Sequence, residues 1–356
     1  MNRRNAAFTL VELMIAMAIV MLVLYAAINF FIVSVRQYKV QTKITETNVE
    51  GILGLELFRQ DLESLGFGLP WNNLGSYTET GVGLNDGNNL APRAVVSIKG
   101  GGGFTVNNSD YLVIKSARVG MSSAAGKWTT LTQANVQRTW TTSAGAGENL
   151  ANSDYVIVLA LGSTDANRRS LVNPGAPYTQ DNNTSAFVPL EPYSANIVYG
   201  IDNVIPVRPF NRANYYIDNT EVPQRCAPNT GVLVKVVLPH DGTTPTPLPL
   251  LDCVADMRVV YGLDNNADGI VDSWTSDLAL LFPAGPAAAA DIRAQLVEIH
   301  VNILGQEGQR DDSYTTPSNT IFVGSEGVGS NFDVSGYRNY RWRQYSIVVK
   351  PKNLAQ

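Results

Sequence analysis

The chain opens with one long apolar run. From Phe8 to Val35 the only charged side chain is Glu12. As a helix these residues would extend about 42 Å, which exceeds the roughly 30 Å of hydrocarbon in a bilayer. Arg3 and Arg4 precede the run, and basic residues favour the cytoplasmic side. The pattern predicts a transmembrane helix that leaves everything after Val35 outside the cytoplasm.

The helical pattern continues beyond the apolar run. Apolar residues recur at three- to five-residue spacing, which predicts one buried face: Ile44, Val49, Ile52, Leu55, Phe58, Leu62 and Leu65. Gly66, Gly68 and Pro70 then end the pattern. One helix over 8–65 would be about 87 Å long. The alternative is two helices broken near Gly51 and Gly54.

Strand patterns follow Pro70. The clearest alternation of apolar and polar residues runs over Leu296–Leu304, which predicts one buried and one solvated face. Six further strands are predicted: Ala94–Lys99, Tyr111–Ser116, Tyr155–Leu161, Val232–Leu238, Ala255–Leu263 and Tyr345–Lys350. Without regular strand–helix alternation, a mainly antiparallel sheet is favoured over a doubly wound one. Gly162–Glu191 and Thr243–Pro249 are predicted loops.

Composition narrows the functional classes. The 356 residues carry 26 basic and 31 acidic side chains, 2 His and 2 Cys, and only 16% of them are charged. A net charge of −5 argues against a nucleic-acid partner, because such proteins present basic surfaces. The scarcity of His and Cys argues against metal-hydrolase or triad chemistry. We expect an extracytoplasmic, β-rich protein that is not an enzyme.

The two cysteines lie outside the membrane in this topology. Cys226 and Cys253 would meet an oxidising compartment in a Gram-negative cell. A disulfide between them would stabilise the fold by about 3 kcal/mol in the chain-entropy model. A free-thiol or redox role is the alternative, although the spacing is not that of a CxxC motif.

One loop fits a calcium-binding pattern. The segment 264–272 reads D-N-N-A-D-G-I-V-D, in which alternate oxygens converge on a hard cation and glycine allows a sharp turn. The predicted ligands are Asp264, Asn266, Asp268, the Ile270 carbonyl and Asp272, with Asp277 as a further candidate. Thr275 stands where an EF-hand has its bidentate Glu. The alternative is an Asx-rich turn that binds nothing.

Near the C-terminus, aromatic and basic residues interleave. The run comprises Tyr337, Arg338, Tyr340, Arg341, Trp342, Arg343 and Tyr345. It is typical of a strand whose arginines make packing and cation–π contacts. Binding of DNA or a sugar is the alternative.

The N-terminus resembles the class III, or type IV prepilin, signal. Two arginines and a small residue precede Phe8-Thr9-Leu10-Val11-Glu12, which opens the apolar helix. The resemblance implies cleavage between Ala7 and Phe8, N-methylation of Phe8, and pairing of Glu12 with the Phe8 amine of a neighbouring subunit. Ala7 departs from the usual glycine. An ordinary signal anchor, with Glu12 at the interface, is the alternative.

Later landmarks resemble the PilW family of type IV pilus minor pilins. They are the helix end around Phe58-Arg59, two Ser-Asp-Tyr strand entries at 109–111 and 153–155, and the block 253–269. The resemblance implies an α+β, pilin-like fold in which the long helix packs on an antiparallel sheet. It divides the chain into a leader (1–7), an assembly helix (8–65) and a globular domain (66–356).

The resemblance also implies a role and partners. We expect a minor pilin that primes filament assembly and sits at the tip, with other minor and major pilins, the prepilin peptidase and the assembly platform as partners. It would span the inner membrane with a periplasmic domain and then move to the pilus. The alternatives are a minor pseudopilin of a type II secretion system and a tip adhesin or DNA receptor.

Overall fold

One long helix leads into the fold. The computed structural model describes residues 9–354 except 73–74, 76, 80–83, 87–89, 104, 141–145, 163–167, 174 and 176–177. Helix α1 spans Leu10–Glu63, with Thr9 as its N-cap and Ser64 as its C-cap. Gly66 follows with φ of 75°, the left-handed conformation that glycine adopts without strain. The predicted continuous helix is confirmed to within two residues at each end.

The two glycines inside α1 do not break it. A Cβ atom on Gly54 would lie 1.8 Å from the Leu250 carbonyl oxygen, and one on Gly51 would lie 2.8 Å from the Leu251 side chain. The glycines therefore let the helix approach the sheet closely, and the alternative of two separate helices is wrong. The predicted apolar face also needs one correction. Ile52 is 64% exposed, because the glycines occupy the face that meets the sheet.

Fifteen strands and two short helices follow among the described residues. Helix α2 spans Leu278–Leu281 and helix α3 spans Ala288–Gln295. The strands are β1 (Val95–Ile98), β2 (Tyr111–Ser116), β3 (Trp128–Thr132), β4 (Tyr155–Leu161), β5 (Arg168–Leu171), β6 (Thr179–Gln180), β7 (Ala195–Asp202), β8 (Asn211–Asp218), β9 (Gly231–Val237), β10 (Leu248–Leu263), β11 (Ser273–Thr275), β12 (Leu296–Glu307), β13 (Thr320–Ser325), β14 (Val328–Asp333) and β15 (Arg341–Val349).

The strands form two antiparallel sheets and a hairpin. The first sheet has the order β1-β2-β8-β9-β10-β12-β15, with β11 paired to β10. The second has the order β3-β7-β4-β5, with β6 paired to β4, and β13 pairs with β14 alone. The predicted α+β class, with a long helix on a mainly antiparallel sheet, is confirmed. The loop predicted over Gly162–Glu191 is wrong in part, because it contains β5 and β6.

The main core lies between α1 and the first sheet. Phe58 and Leu62 from the helix, and Leu65 just after its C-cap, are fully buried there, beside residues of β8, β10 and β12 such as Tyr215 and Ile303. These helix residues were predicted to face the core, and that prediction is confirmed. The second sheet buries separate clusters of its own. Of the two sheets, the first therefore provides the packing surface for the helix.

Candidate functional site

The N-terminal part of α1 is a bare apolar surface. Over Leu10–Thr45 the helix is long and apolar enough to cross a membrane, and its most apolar window buries nothing against the rest of the subunit. Leu22 and Phe30, for example, are 71% and 75% exposed. Monomeric soluble proteins rarely leave so large a continuous apolar patch in water. This surface is therefore the candidate site for the bilayer and for neighbouring helices.

Glu12 takes part in the cap at the exposed N-terminus of this helix. Its Oε2 accepts hydrogen bonds from the Thr9 amide and hydroxyl, both at 3.0 Å, and its own amide donates to Thr9 Oγ1 at 3.3 Å. This reciprocal capping box satisfies amides that the first helical turn leaves unpaired. Within the described residues, Oε1 of Glu12 accepts no hydrogen bond. Ala7 and Phe8 lie outside the described residues, so cleavage and methylation there stay predictions.

A buried carboxylate fixes the other end of the helix to the sheet. Asp61 Oδ2 lies 2.7 Å from Lys235 Nζ in β9 and accepts a hydrogen bond from the Tyr215 hydroxyl in β8. The Tyr215 ring stacks on Phe58 with centroids 4.2 Å apart. Burial and the neighbouring Asp61 carboxylate raise the pKa of Tyr215 well above its ordinary value. Sequence reasoning missed this contact, although Asp61 interrupts the apolar face beside Leu62.

The predicted disulfide is present. Cys226 and Cys253 are bonded, with Cα atoms 4.9 Å apart, and the described residues contain no free cysteine. Cys253 lies within the register shift between Leu251 and Val254 in the pairing of β9 with β10. The closed loop contains β9 and the predicted loop Thr243–Pro249. The bond therefore ties the start of β9 to the strand on which α1 packs.

The predicted calcium loop forms a compact turn. Asp264 Oδ1 accepts from the amides of Asn266 and Ala267, and its Oδ2 accepts from Gly269 at 2.7 Å. Burial opposes ionisation of Asp264, but these amide donors bring its pKa below the ordinary value. Asn266, Asp268 and Asp272 likewise accept backbone amides within the loop.

These contacts suit an Asx-rich turn. Among the described residues, no group of three or more His, Cys, Asp or Glu side chains is placed to hold a metal ion. Calcium binding at Asp264, Asn266, Asp268, Ile270 and Asp272 stays a prediction. Calorimetry of the full-length protein with millimolar calcium tests it, and an absence of heat would leave only the turn.

The aromatic and basic run is occupied by internal contacts. Arg341 lies over the Tyr314 ring at 3.9 Å and bonds Asp311 at 3.0 Å. Arg343 pairs with Glu307, also at 3.0 Å. Arg338 donates to the Thr316 carbonyl, and most of the run belongs to β15. The geometry favours the structural interpretation of this run over DNA or sugar binding.

The two Ser-Asp-Tyr entries share a local design. Asp110 and Asp154 are both buried just before strands β2 and β4. Asp110 Oδ2 accepts from the Val259 amide at 2.9 Å, and Asp154 Oδ2 accepts from the Ala151 amide at 2.9 Å. Burial raises the pKa of Asp110, although backbone amides and Arg258 favour its ionised form. The two carboxylates therefore accept hydrogen bonds from backbone amides at the points where the strands begin.

Comparison with known sequences places these features in a family. Residues 2–28 match the prokaryotic N-terminal methylation motif, and residues 214–353 match the type IV pilus-assembly protein W family, PilW. The chain is therefore similar to the PilW family over its C-terminal part and carries a prepilin-type motif at its N-terminus. The match to PilW begins in β8 and covers the disulfide, the predicted calcium loop and β15. No curated protein sequence matches the chain.

A solved structure is also similar in part. A type IV-like pilin from Thermus thermophilus is 15% identical and aligns over 41% of this chain and 70% of its own, with a TM-score of 0.24. The second sheet lies outside both matches, because the methylation motif ends at residue 28 and the PilW match begins at residue 214. The resemblance inferred from the sequence is confirmed at both ends of the chain. The methylation motif and the exposed apolar helix are consistent with membrane anchoring, and the PilW match supports a structural role in a type IV pilus.

Proposed function

We propose that this minor pilin primes filament assembly by a type IV pilus platform, together with other minor and major pilins. The exposed apolar length of α1 supports the proposal, because this surface needs either lipid or other helices around it. The prepilin peptidase would cut between Ala7 and Phe8. Arg3 and Arg4 favour a cytoplasmic N-terminus and thus a periplasmic globular domain before assembly.

Glu12 is the proposed selector of axial register. Pairing with the Phe8 amine of a neighbour would bring opposite charges together in a low-dielectric bundle, where an unpaired charge is strongly destabilising. Two features of the subunit support this role. Glu12 is exposed, and its Oε1 accepts no hydrogen bond from the described residues, so the carboxylate can receive a second donor while Oε2 keeps the helix cap.

A position at the tip is proposed on steric grounds. The globular domain of about 290 residues carries two sheets and a hairpin, whereas α1 packs on only the first sheet. So large a domain is awkward to repeat along a tightly packed fibre. A low copy number relative to the major pilin, measured on sheared filaments, is the expected result.

Substitution of Glu12 tests the proposal. Glu12→Ala should leave membrane insertion intact and abolish incorporation into sheared filaments. The matched control is Glu56→Ala, which removes a half-exposed carboxylate from the packed part of the same helix and should incorporate normally. Normal incorporation of Glu12→Ala would refute the register role.

Deletion of the gene separates pilus function from secretion. Loss of twitching with intact protein secretion is expected for a pilus subunit. Lost secretion with intact twitching would instead indicate a type II pseudopilin. Retained piliation with lost attachment or DNA uptake would indicate an adhesin or receptor.

A further inference from the structure

A groove lies where the globular domain meets the helix. The loop after β12 turns back onto α1, and Gly308 sits so close to it that an added Cβ would lie 3.1 Å from the Ile44 side chain. Between loop and helix is a cavity of about 590 Å³. We call it the interfacial groove, and its lining is Phe31, Ile32, Val35, Arg36 and Lys39 from the helix and 309–313 from the loop.

The lining of the interfacial groove changes from apolar to basic along the helix axis. Its N-terminal part is apolar, with Phe31, Ile32 and Val35, and the next lining residues are Arg36 and Lys39. The stretch of the chain without charged residues, which begins after Glu12, also ends at Val35. At 1.5 Å per residue, Phe31 and Lys39 are about 12 Å apart along the axis. The groove therefore straddles the boundary between hydrocarbon and headgroups in a membrane-anchored subunit.

The charges in the groove do not balance. On the loop, Asp311 bonds Arg341 at 3.0 Å, and Asp312 pairs with Arg310 at 2.9 Å. Within the described part of the chain, no carboxylate pairs with Arg36 or Lys39. Two uncompensated cations thus stand beside an apolar wall, and the complementary ligand is an anionic group attached to hydrocarbon.

We propose that the interfacial groove binds the headgroup of an anionic phospholipid. Arg36 and Lys39 would hold its phosphate, and Phe31, Ile32 and Val35 would contact the upper part of an acyl chain. Long basic side chains at the end of a membrane-spanning segment commonly reach the headgroup layer in this way. The bound lipid would fix the orientation of the globular domain on the membrane before assembly. The inference rests on membrane anchoring and is independent of the Glu12 pairing.

Lipid retention tests the proposal. The full-length protein in detergent would be titrated with dioleoyl phosphatidylglycerol or dioleoyl phosphatidylcholine, and bound lipid counted by native mass spectrometry. The double variant Arg36→Gln with Lys39→Gln should lower phosphatidylglycerol affinity by roughly 25-fold, because each basic residue near an anionic surface contributes about a factor of five. The control, Lys350→Gln with Lys352→Gln, removes the same charge from another groove and should bind like the wild type.

A fluorescent label on the loop locates the lipid. Because both native cysteines are in the disulfide, Gln309→Cys offers a single thiol for an environment-sensitive dye. Vesicles with 30% phosphatidylglycerol should shift its emission relative to pure phosphatidylcholine vesicles, and soluble glycerol phosphate should not. A shift with glycerol phosphate alone would indicate a free-phosphate site and overturn the lipid assignment.

Other outcomes are equally decisive. Equal affinity for the two lipids, or equal losses in the groove and control variants, would overturn the proposal. Sedimentation with vesicles separately reports membrane anchoring, and filament incorporation of Glu12→Ala reports the assembly mechanism. If the protein inserts into membranes and assembles into filaments but its groove binds no lipid, the lipid proposal is overturned and the proposed assembly function is not.

Discussion

The two halves of α1 are one continuous helix in two different surroundings. From Leu10 to Val33 the side chains are exposed around the whole circumference of the helix. From Gly51 to Glu63 one face is buried against the sheet, and the opposite face stays solvated. The first half therefore packs on no sheet and meets the subunit only at the loop after β12, whereas the second half is part of the core.

The halves also use their charged residues differently. Glu12 caps the exposed end through Thr9, three residues away in sequence, whereas Asp61 reaches across to Lys235 and Tyr215 in the sheet. The contact of Glu12 with Thr9 lies within one helical turn, so it persists whether the helix is surrounded by lipid or by other helices. A long-range contact fixes the helix to one domain surface. The comparison suggests that stability of the subunit and entry into a filament can be altered separately, and three substitutions test this.

The largest effect is expected at Gly54. Alanine is the better helix former by about 1 kcal/mol, but its Cβ would lie 1.8 Å from the Leu250 carbonyl oxygen. We expect the clash to outweigh the propensity, so that Gly54→Ala lowers the free energy of unfolding by about 3 kcal/mol. Urea denaturation of the full-length protein in detergent measures it.

The matched control for Gly54 lies on the opposite face. Leu53 is 70% exposed, and Leu53→Ala should change stability by less than about 0.5 kcal/mol. If Gly54→Ala were as stable as the wild type, the close approach of helix and sheet would not contribute to the stability of the packed half of α1, Gly51–Glu63.

The packed half shows how far sequence reasoning reaches. Periodicity located Phe58, Leu62 and Leu65 on the buried face, because apolar spacing reports which side of a helix avoids water. It misplaced Ile52, since the helix approaches the sheet so closely there that only Gly51 and Gly54 fit. Close backbone contact depends on the partner strand, and a helical pattern carries no information about that strand.

The sheets show the same limit. Strands β2 and β4 were predicted with their observed ends, because each follows an Asn-Ser-Asp segment and opens with a run of apolar residues. Strand β8 was missed, since Asn211, Arg212 and Asn214 look like a solvated segment. In the structure Arg212 is fully buried and pairs with Glu79 at 2.9 Å. Burial of such polar residues depends on partners far away in sequence.

The candidate site was predictable where its contacts are local. The methylation motif, the helix and Glu12 are contiguous in sequence, so the assembly end of the chain could be found from sequence alone. The disulfide followed from having only two cysteines. The Asp61 contact and the interfacial groove join segments more than 150 residues apart, and no sequence pattern indicated them.

A smaller effect is expected at Asp61. Asp61→Asn keeps the shape of the side chain but leaves the Lys235 ammonium without its counter-ion in a largely buried position. Breaking such a pair costs about 2 kcal/mol. Chemical denaturation of the full-length protein checks this value, and filament incorporation should persist in the variant that still folds.

Glu63→Gln is the matched control for Asp61. This carboxylate on the same helix lies 3.2 Å from Arg59, and both side chains are about half exposed. An exposed pair of this kind contributes less than about 0.5 kcal/mol. Equal losses for Asp61→Asn and Glu63→Gln would mean that the buried contact with the sheet has no special role.

The smallest effect is expected at the free end of the helix. Thr9→Ala removes the hydroxyl that accepts the Glu12 amide, and loss of an N-cap costs about 1 kcal/mol of local helix stability. Hydrogen exchange should therefore quicken at the amides of the first turn, while the urea midpoint of the globular domain stays unchanged. Because the exposed half of the helix makes no core contacts, fraying of its first turn should not lower the stability of the globular domain. A lowered urea midpoint in Thr9→Ala would show that the two halves are coupled after all.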